Sequence, residues 1–135
     1  MVLDRFPVNP VLLARDGDRA RAFYRDVLGL ELVSGPQDDP MMFGAGNGST
    51  LVVTEIPERE PPPYPVVSFL VEDIEELVSE LRARGAEMAP LPGSASFAGA
   101  EGARSGDVMD FGPVKSAFVR DSEGNLLALN ELVIP

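Results

Sequence analysis

The stretch VNPVLLARDGDRARAFYRDVLGLEL, residues 8–32, decides the fold of this chain. It opens with the short apolar run PVLLA, which is typical of a buried strand. Asp16 and Asp18 follow, and either carboxylate can accept hydrogen bonds from the free N–H groups at a helix start. Apolar residues then recur at helical spacing as far as Gly29, where a left-handed helix cap favours glycine. The stretch therefore predicts a strand followed by a helix.

The second half of the chain repeats this order. Residues 65–88, PVVSFLVEDIEELVSELRARGAEM, predict a strand, a helix capped by Asp73, and a terminating glycine at Gly85. The two helix caps, Asp16 and Asp73, are separated by about 57 residues. That period is long for a solenoid repeat and indicates an internal duplication. Each copy is predicted to contain a strand, a helix and about three more strands.

The remaining strands are separated by turn signals. LELVS, PMMFGAG and STLVVTEI are predicted strands of the first half, with the turn GNGS between the last two. The proline-rich connector PEREPPPYP cannot continue a sheet. GPVKSAFVR and LLALNELVI are the last strands, joined by the turn DSEGN. Leu91–Gly112 is rich in Gly, Ala and Ser, and we predict a mobile loop there.

Composition excludes several kinds of protein. The 135 residues suffice for one domain with its own core. The absence of cysteine excludes disulfides, thiolate metal sites and cysteine nucleophiles, and the absence of histidine excludes a Ser-His-Asp triad. A net charge of −11 would repel nucleic acid. No signal peptide or membrane span is apparent in the sequence, so we expect a cytoplasmic protein without a nucleic-acid or membrane partner.

Three segments carry a resemblance to a known family: DRARAFYRDVLGLEL (18–32), VEDIEELVSELRARG (71–85) and FVRDSEGNLLAL (118–129). Their order and spacing resemble the vicinal oxygen chelate superfamily of glyoxalases, bleomycin-resistance proteins and extradiol dioxygenases. The last segment is similar to the DPDGN turn of that family. The resemblance implies an α+β fold. Its single domain, 1–135, would consist of two paired βαβββ modules, about 5–57 and 64–135, forming a curled mixed sheet around one cleft. It also implies a homodimer.

The resemblance also locates the metal site of the family. Its metal lies on four strand positions facing the cleft, usually filled by His, Gln or Glu. Alignment on the helix caps and on the last turn places Asn9, Val52, Val66 and Ala128 at these positions. An asparagine is a poor ligand for divalent metals of this kind, and valine and alanine provide no donor atom. We therefore predict that the protein binds no metal and needs no other cofactor.

Side-chain alternation along the strands predicts which residues share the cleft face. The expected set is mostly apolar with a few polar groups, as in small-molecule pockets. The candidate ligand-binding residues are Asn9, Val11, Val52, Thr54, Val66, Ser68, Met109, Phe111, Lys115, Ala128 and Asn130. Leu13, Thr50, Leu70 and Leu126 share that face by alternation, while Leu12, Val67, Phe69, Leu127 and Leu129 are expected to pack against the helices.

Two residues of this set come from the predicted loop. Met109 and Phe111 are the apolar groups near its end, and we expect them to cover the mouth of the pocket near Asn9 and Ala128 as a lid. Lys115 follows the loop directly and is either an anion-binding group or an ordinary surface lysine.

Two functions remain open. The first is a metal-free protein that binds a small molecule, with a cationic ligand favoured by the acidic charge. The opening NPVLLARD is similar to that of bleomycin-binding members, although the chain has no tryptophan for stacking. The second is a lyase, isomerase or dioxygenase-like enzyme of the same superfamily. It would need an acid–base group, for which the candidates are Glu55, Asp107, Asp110 and Lys115.

Overall fold

Two modules with the same order of elements form the structure, a computed structural model that describes residues 2–90 and 103–133. The first module contains β1 (Val11–Ala14), α1 (Gly17–Ala22) with a π-helical turn (Phe23–Val27), β2 (Glu31–Leu32), β3 (Met41–Gly44) and β4 (Thr50–Glu55). The second contains β5 (Pro65–Leu70), α2 (Ile74–Ala83), β6 (Glu87–Ala89), β7 (Ala103–Ser105), β8 (Val108–Asp110), β9 (Val114–Arg120) and β10 (Leu126–Leu132).

The strands form two mixed sheets. The first has the order β1-β4-β3-β2, and the second has the order β5-β10-β9-β8-β7, with β6 also paired to β9. In both sheets the first strand of the module lies parallel to the last one, β1 beside β4 and β5 beside β10. The predicted α+β fold and the duplication are therefore confirmed. The second module differs from the first by the additional hairpin β7–β8.

The two helices start in different ways. Asp16 caps α1, as predicted, because its Oδ1 accepts a hydrogen bond from the backbone N–H of Arg19 at 3.1 Å. Asp73 stands at the start of α2 in a left-handed conformation, with φ 50°, and among the described residues its carboxylate caps no backbone N–H. Instead, Oε1 of Glu131, on β10, accepts from the N–H of Ile74 at 3.0 Å. Asp73 thus occupies the cap position, as predicted, but the carboxylate that accepts the hydrogen bond is that of Glu131.

One core joins the two modules. Both helices lie on the same side of the sheets, and their apolar side chains pack together with the sheet faces turned towards them. Leu12, Leu127 and Leu129 are buried in this core, and Val67 and Phe69 pack against it, as alternation predicted. The residues that alternate with these core residues along the strands point to the opposite side of each sheet. We call these sides the outer faces of the two sheets.

The turn between β9 and β10 also connects the modules. Oδ2 of Asp121 accepts a 2.6 Å hydrogen bond from the hydroxyl of Tyr24 on the π-helical turn. Its Oδ1 accepts from the backbone N–H groups of Glu123 and Asn125 within the turn itself. The amide of Asn125 donates to the carbonyl of Leu13 at 2.9 Å. Asp121, Glu123 and Asn125 are all buried, so the turn is a structural junction rather than a surface loop.

Glu123 holds the start of α1. Its Oε1 accepts from the backbone N–H groups of Arg15 and Asp16, both at 2.9 Å, and the guanidinium of Arg19 donates to both carboxylate oxygens. Burial alone would raise the pKa of Glu123, but the hydrogen bonds from Arg19, Asp16 and Ser122 lower it to about 2. The carboxylate is therefore charged at neutral pH and forms the main electrostatic link between the modules.

The prediction of a loop over Leu91–Gly112 is wrong for residues 103–110, which form the hairpin β7–β8. Its two-residue turn is Gly106-Asp107, and Gly106 has a φ of 62°, which only glycine adopts without strain. The proposed lid residue Met109 is consequently a strand residue paired with Ser116. Residues 91–102 of the predicted loop lie outside the described residues.

Candidate ligand-binding site

The outer face of the second sheet carries a row of hydrogen-bonded polar side chains. Asn130 on β10 is paired with Ser116 on β9, and Ser68 on β5 lies diagonally across from Asn130. Nδ2 of Asn130 donates to Oγ of Ser68 at 2.6 Å, and Oγ of Ser116 donates to Oδ1 of Asn130 at 2.7 Å. We call these three residues the polar ladder. Ser116 is buried and Ser68 is exposed, so the ladder leads from the sheet interior to the solvent.

Apolar side chains surround the polar ladder. Ala128 is the neighbour of Ser68 across the strands and is buried with Phe118, Leu126 and Ala89. Leu70 lies beside Asn130 and is 74% exposed. The arrangement therefore combines a fixed set of hydrogen-bonding groups with an apolar surround, as ligand pockets do.

A groove adjoins the ladder at the free edge of β5. It has a volume of about 340 Å³ and lies between β5 and the turn that connects β3 to β4. None of the described residues that line it is charged: Pro10, Ala45, Gly46, Asn47, Ser49, Thr50, Leu51, Val67, Ser68, Phe69 and Leu70. We call this space the β5 groove. Ser68 belongs both to the groove and to the polar ladder.

The outer face of the first sheet is apolar. Val11, Val52 and Met42 are cross-strand neighbours, and the N–H of Val33 donates to the carbonyl of Met42 at 2.8 Å, which extends the row. Val11 is 60% and Val33 54% exposed. Thr54 lies on the same face, beside Leu13. Such an uncovered apolar stripe is unusual on a protein surface.

The candidate residues from the sequence divide into three groups. Ser68, Ala128, Asn130 and Met109 lie together on the outer face of the second sheet, whereas Val11, Val52 and Thr54 lie on that of the first. The others stand apart: Asn9 is exposed before β1, Val66 packs against the common core, and Phe111 follows β8 with its N–H bonded to Val114.

Lys115 does not join any of these groups. It is paired with Asp110 across the strands and lies next to Ser116, so its side chain points to the helix side of the sheet. Its Nζ donates to Glu75 on α2 at 3.1 Å. This bond raises the pKa of Lys115, which therefore stays protonated at neutral pH and is unsuited to act as a base.

Sequence reasoning missed Ser116 and the turn between β3 and β4. Ser116 was hidden because a serine within the apolar run of β9 shows its role only when the register with β10 is known. The turn residues 45–49 carry no motif, and they reach the groove only through the packing of the two modules.

The acid–base candidates are already engaged in structural contacts. Their partners are the guanidinium of Arg82 for Asp107, the N–H of Gly112 for Asp110, the N–H of Gly17 for Glu55 and the carboxylate of Glu75 for Lys115. None of the four lines the β5 groove. Among the described residues, the lining of the β5 groove therefore offers no charged acid or base.

The donor set does not fit the metal of the family. Asn9, Val52, Val66 and Ala128 bring one weak donor, the Asn9 amide, to the aligned positions. Val52 lies on the outer face of the first sheet, whereas Ala128 lies on that of the second. Within residues 2–90 and 103–133, no group of three or more His, Cys, Asp or Glu side chains is arranged to hold a metal ion.

Comparison of the sequence with models of known protein families identifies the family of this chain. A sequence model of the glyoxalase/bleomycin resistance protein/dioxygenase superfamily matches residues 8–129. The chain belongs to this superfamily. The resemblance of the three sequence segments is thereby confirmed. No curated protein matches the chain.

Solved structures of the glyoxalase superfamily share the fold. A glyoxalase/bleomycin resistance protein from Catenulispora acidiphila is 21% identical, with a TM-score of 0.63 over 93% of this chain and 97% of that one. A lactoylglutathione lyase from Agrobacterium tumefaciens is 22% identical, with a TM-score of 0.63 over 94% and 93%. The fosfomycin resistance protein FosX from Listeria monocytogenes is 17% identical, with a TM-score of 0.63 over 96% and 92%. At these identities the likeness establishes the fold alone. Neither described helix is long and apolar enough to cross a membrane.

Proposed function

We propose that this superfamily member binds a small molecule without a metal, at the polar ladder and in the adjoining β5 groove. The observation that carries this proposal is the chain of hydrogen bonds from Ser116 through Asn130 to Ser68. Both polar atoms of the Asn130 amide are thereby committed, which fixes the orientation of the amide plane. The hydroxyl of Ser68 accepts from Asn130, so its proton is directed away from the amide and towards the solvent side.

The ladder can therefore present a hydrogen-bond donor to a ligand. Among the described residues, none accepts a hydrogen bond from the hydroxyl of Ser68. A ligand carbonyl, ether or hydroxyl oxygen in the β5 groove would accept it, while Leu70 would contact the apolar part of the ligand. Fixed polar groups of this kind give orientation and specificity in apolar pockets.

The charge of the protein narrows the ligand class. The groove itself has no charged side chain, so a fully ionised ligand would gain no ion pair there. The net charge of −11 acts at longer range, where it attracts cations and repels anions. The ligand that fits both features is partly apolar, carries an oxygen acceptor, and is neutral or cationic. The engagement of the acid–base candidates in structural contacts favours binding over the alternative of lyase, isomerase or dioxygenase chemistry.

We also propose that a second copy of the chain covers the apolar stripe of the first sheet. Val11, Met42, Val52 and Val33 form that stripe, and a surface of this kind is stable in water when a partner buries it. The free edge of β1, on the same sheet, supports this conclusion, because unpaired edges are commonly protected by association. A twofold homodimer would satisfy both.

The binding proposal is tested by a thermal-shift screen of chelator-treated protein. The compounds are matched triplets of neutral, cationic and anionic small molecules that share one oxygen-bearing ring. We expect hits among the neutral and cationic members, because a ligand that binds the folded state raises the melting temperature. Ser68→Ala should reduce the shift of each hit, and the exposed Ser79 on α2 provides the matched control Ser79→Ala. Hits confined to anions, or equal shifts in both variants, would contradict the proposal.

A further inference from the structure

A second cavity lies on the other side of the second sheet. It has a volume of about 170 Å³ and is bounded by α2, by the helix side of β5, β9 and β10, and by the segment after α1. Its floor includes Leu127 and Leu129, whose neighbours Ala128 and Asn130 face the opposite way. The sheet therefore separates this cavity from the polar ladder.

The lining of this cavity is entirely apolar. All nine described residues that line it are Leu, Val or Phe, so their side chains offer neither a hydrogen-bond partner nor a charge. Water is poorly stabilised in such a space, because it needs two to four polar partners. A cavity of about 150 Å³ lined by Leu, Ile and Phe in another protein remains dry and binds benzene or xenon. The present cavity is close to it in volume and similar in lining, and it differs in being open to solvent on one side.

The cavity also has an entrance. Leu28 and Leu30 from the first module, and Val71 and Leu77 from the second, are half-buried, whereas the floor residues Leu127 and Leu129 are buried. The half-buried residues form a rim that is open to solvent. A ligand entering there would contact side chains of both modules at once.

We infer that this cavity is a binding site for a compact, neutral hydrocarbon group of about the size of benzene. The site is separate from the polar ladder, since the sheet lies between them and since it takes a ligand without any polar group. Phe69 also lines the β5 groove. Because its rim belongs to both modules, an occupant stabilises the contact between them and raises the melting temperature.

Methyl NMR of the full chain, labelled with carbon-13 at leucine and valine methyl groups, tests this site directly. Benzene is the titrant. The site requires saturable shift changes at Leu77, Leu127 and Leu129, with the exposed Val8 and Val11, which line neither the cavity nor the β5 groove, unchanged. Changes that grow linearly without saturation, or that are equally large at Val8 and Val11, overturn the inference.

Two substitutions at the rim give a second readout. Val71→Phe fills the cavity and should weaken benzene binding at least tenfold. Val71→Thr keeps the shape of the side chain but adds a hydroxyl to the wall, and should weaken benzene binding severalfold. This variant provides the test if Val71→Phe fails to fold. Val8→Phe is the matched control, because Val8 is 86% exposed and lines neither this cavity nor the β5 groove. Wild-type affinity in Val71→Thr overturns the assignment of the site, as does wild-type affinity in a folded Val71→Phe.

Discussion

The hydroxyl of Tyr24 donates a 2.6 Å hydrogen bond to Oδ2 of Asp121, which lies 97 residues further along the chain. Tyr24 belongs to the first module and Asp121 to the last turn of the second, and both are buried. Burial raises the pKa of Tyr24 well above its ordinary value, and the nearby charge of Asp121 raises it further. The phenol therefore stays protonated and serves as a permanent donor between the modules.

Removal of this hydroxyl should destabilise the whole chain. Tyr24→Phe leaves the ring in place but deprives a buried carboxylate of one partner, which costs about 1–3 kcal/mol. Urea denaturation followed by circular dichroism measures the change. The only other tyrosine, Tyr64, is 58% exposed, so Tyr64→Phe is the matched control and should change little. Equal effects of the two substitutions would show that the junction does not hold the modules together.

Glu123 should make the stability depend on pH in a defined window. Its pKa in the folded chain is about 2, below the unfolded value of about 4.3. Because the folded pKa is the lower one, Glu123 stabilises the fold fully above about pH 5, and this contribution is lost as the pH falls towards 2.

Comparison of the wild type with Glu123→Gln separates the contribution of Glu123 to the free energy of unfolding from those of the other carboxylates. At pH 7 the variant should be less stable by roughly 2 kcal/mol, and the difference should shrink steadily between about pH 5 and pH 2. Glu87→Gln removes a long surface contact to Arg120 at 3.6 Å and should cost little at any pH. A stability difference for Glu123→Gln that is constant from pH 7 to pH 3 would rule out the proposed role.

The start of α2 allows a direct comparison of two carboxylates. Glu131→Ala removes the acceptor of the Ile74 N–H and should cost about 1 kcal/mol, as the loss of a helix cap does. Asp73→Gly should be neutral or slightly stabilising, because Asp73 has a φ of 50°, a conformation that favours glycine. Chemical denaturation of both variants distinguishes the roles, and a larger loss for Asp73→Gly would reverse the assignment.

The apolar stripe of the first sheet leads to a prediction about assembly. Multi-angle light scattering of the wild type should give twice the chain mass of 14.4 kDa in the micromolar range. Val11→Lys introduces a charge into the stripe and should shift the mass to that of one chain. Val2, which is 74% exposed and outside the strands, provides the control Val2→Lys. A monomeric wild type would refute the homodimer.

The sequence predicts local features of this chain better than long-range ones. The cap at Asp16, the glycine ends at Gly29 and Gly85, and the alternation of Leu127 and Leu129 follow from near neighbours and are confirmed. The cap of α2 comes from Glu131, 57 residues away from Ile74, so no local pattern could reveal it.

The candidate site also combines residues that the sequence predicts with contacts that it does not. Ser68 and Asn130 were found by alternation from the family positions, but their hydrogen bond depends on the register of β5 with β10. Lys115 was placed with them because it follows the predicted loop in sequence. Lys115 is the second residue of β9, and because its neighbour Ser116 faces the outer side, its own side chain points to the helix side. The hairpin β7–β8 did have a local signal, the pair Gly106-Asp107, which the surrounding Gly, Ala and Ser residues obscured.

Isothermal titration of the strongest screening hit, in the presence of excess EDTA, tests metal-independent binding at the polar ladder most directly. We predict one binding event per chain with the same affinity with and without EDTA. Ser68→Ala should weaken it about 3- to 10-fold, as expected for one neutral hydrogen bond of 0.5–1.5 kcal/mol. Ser79→Ala should bind as the wild type does. Binding that EDTA abolishes and a divalent metal restores, or an unchanged affinity in Ser68→Ala, would contradict the account.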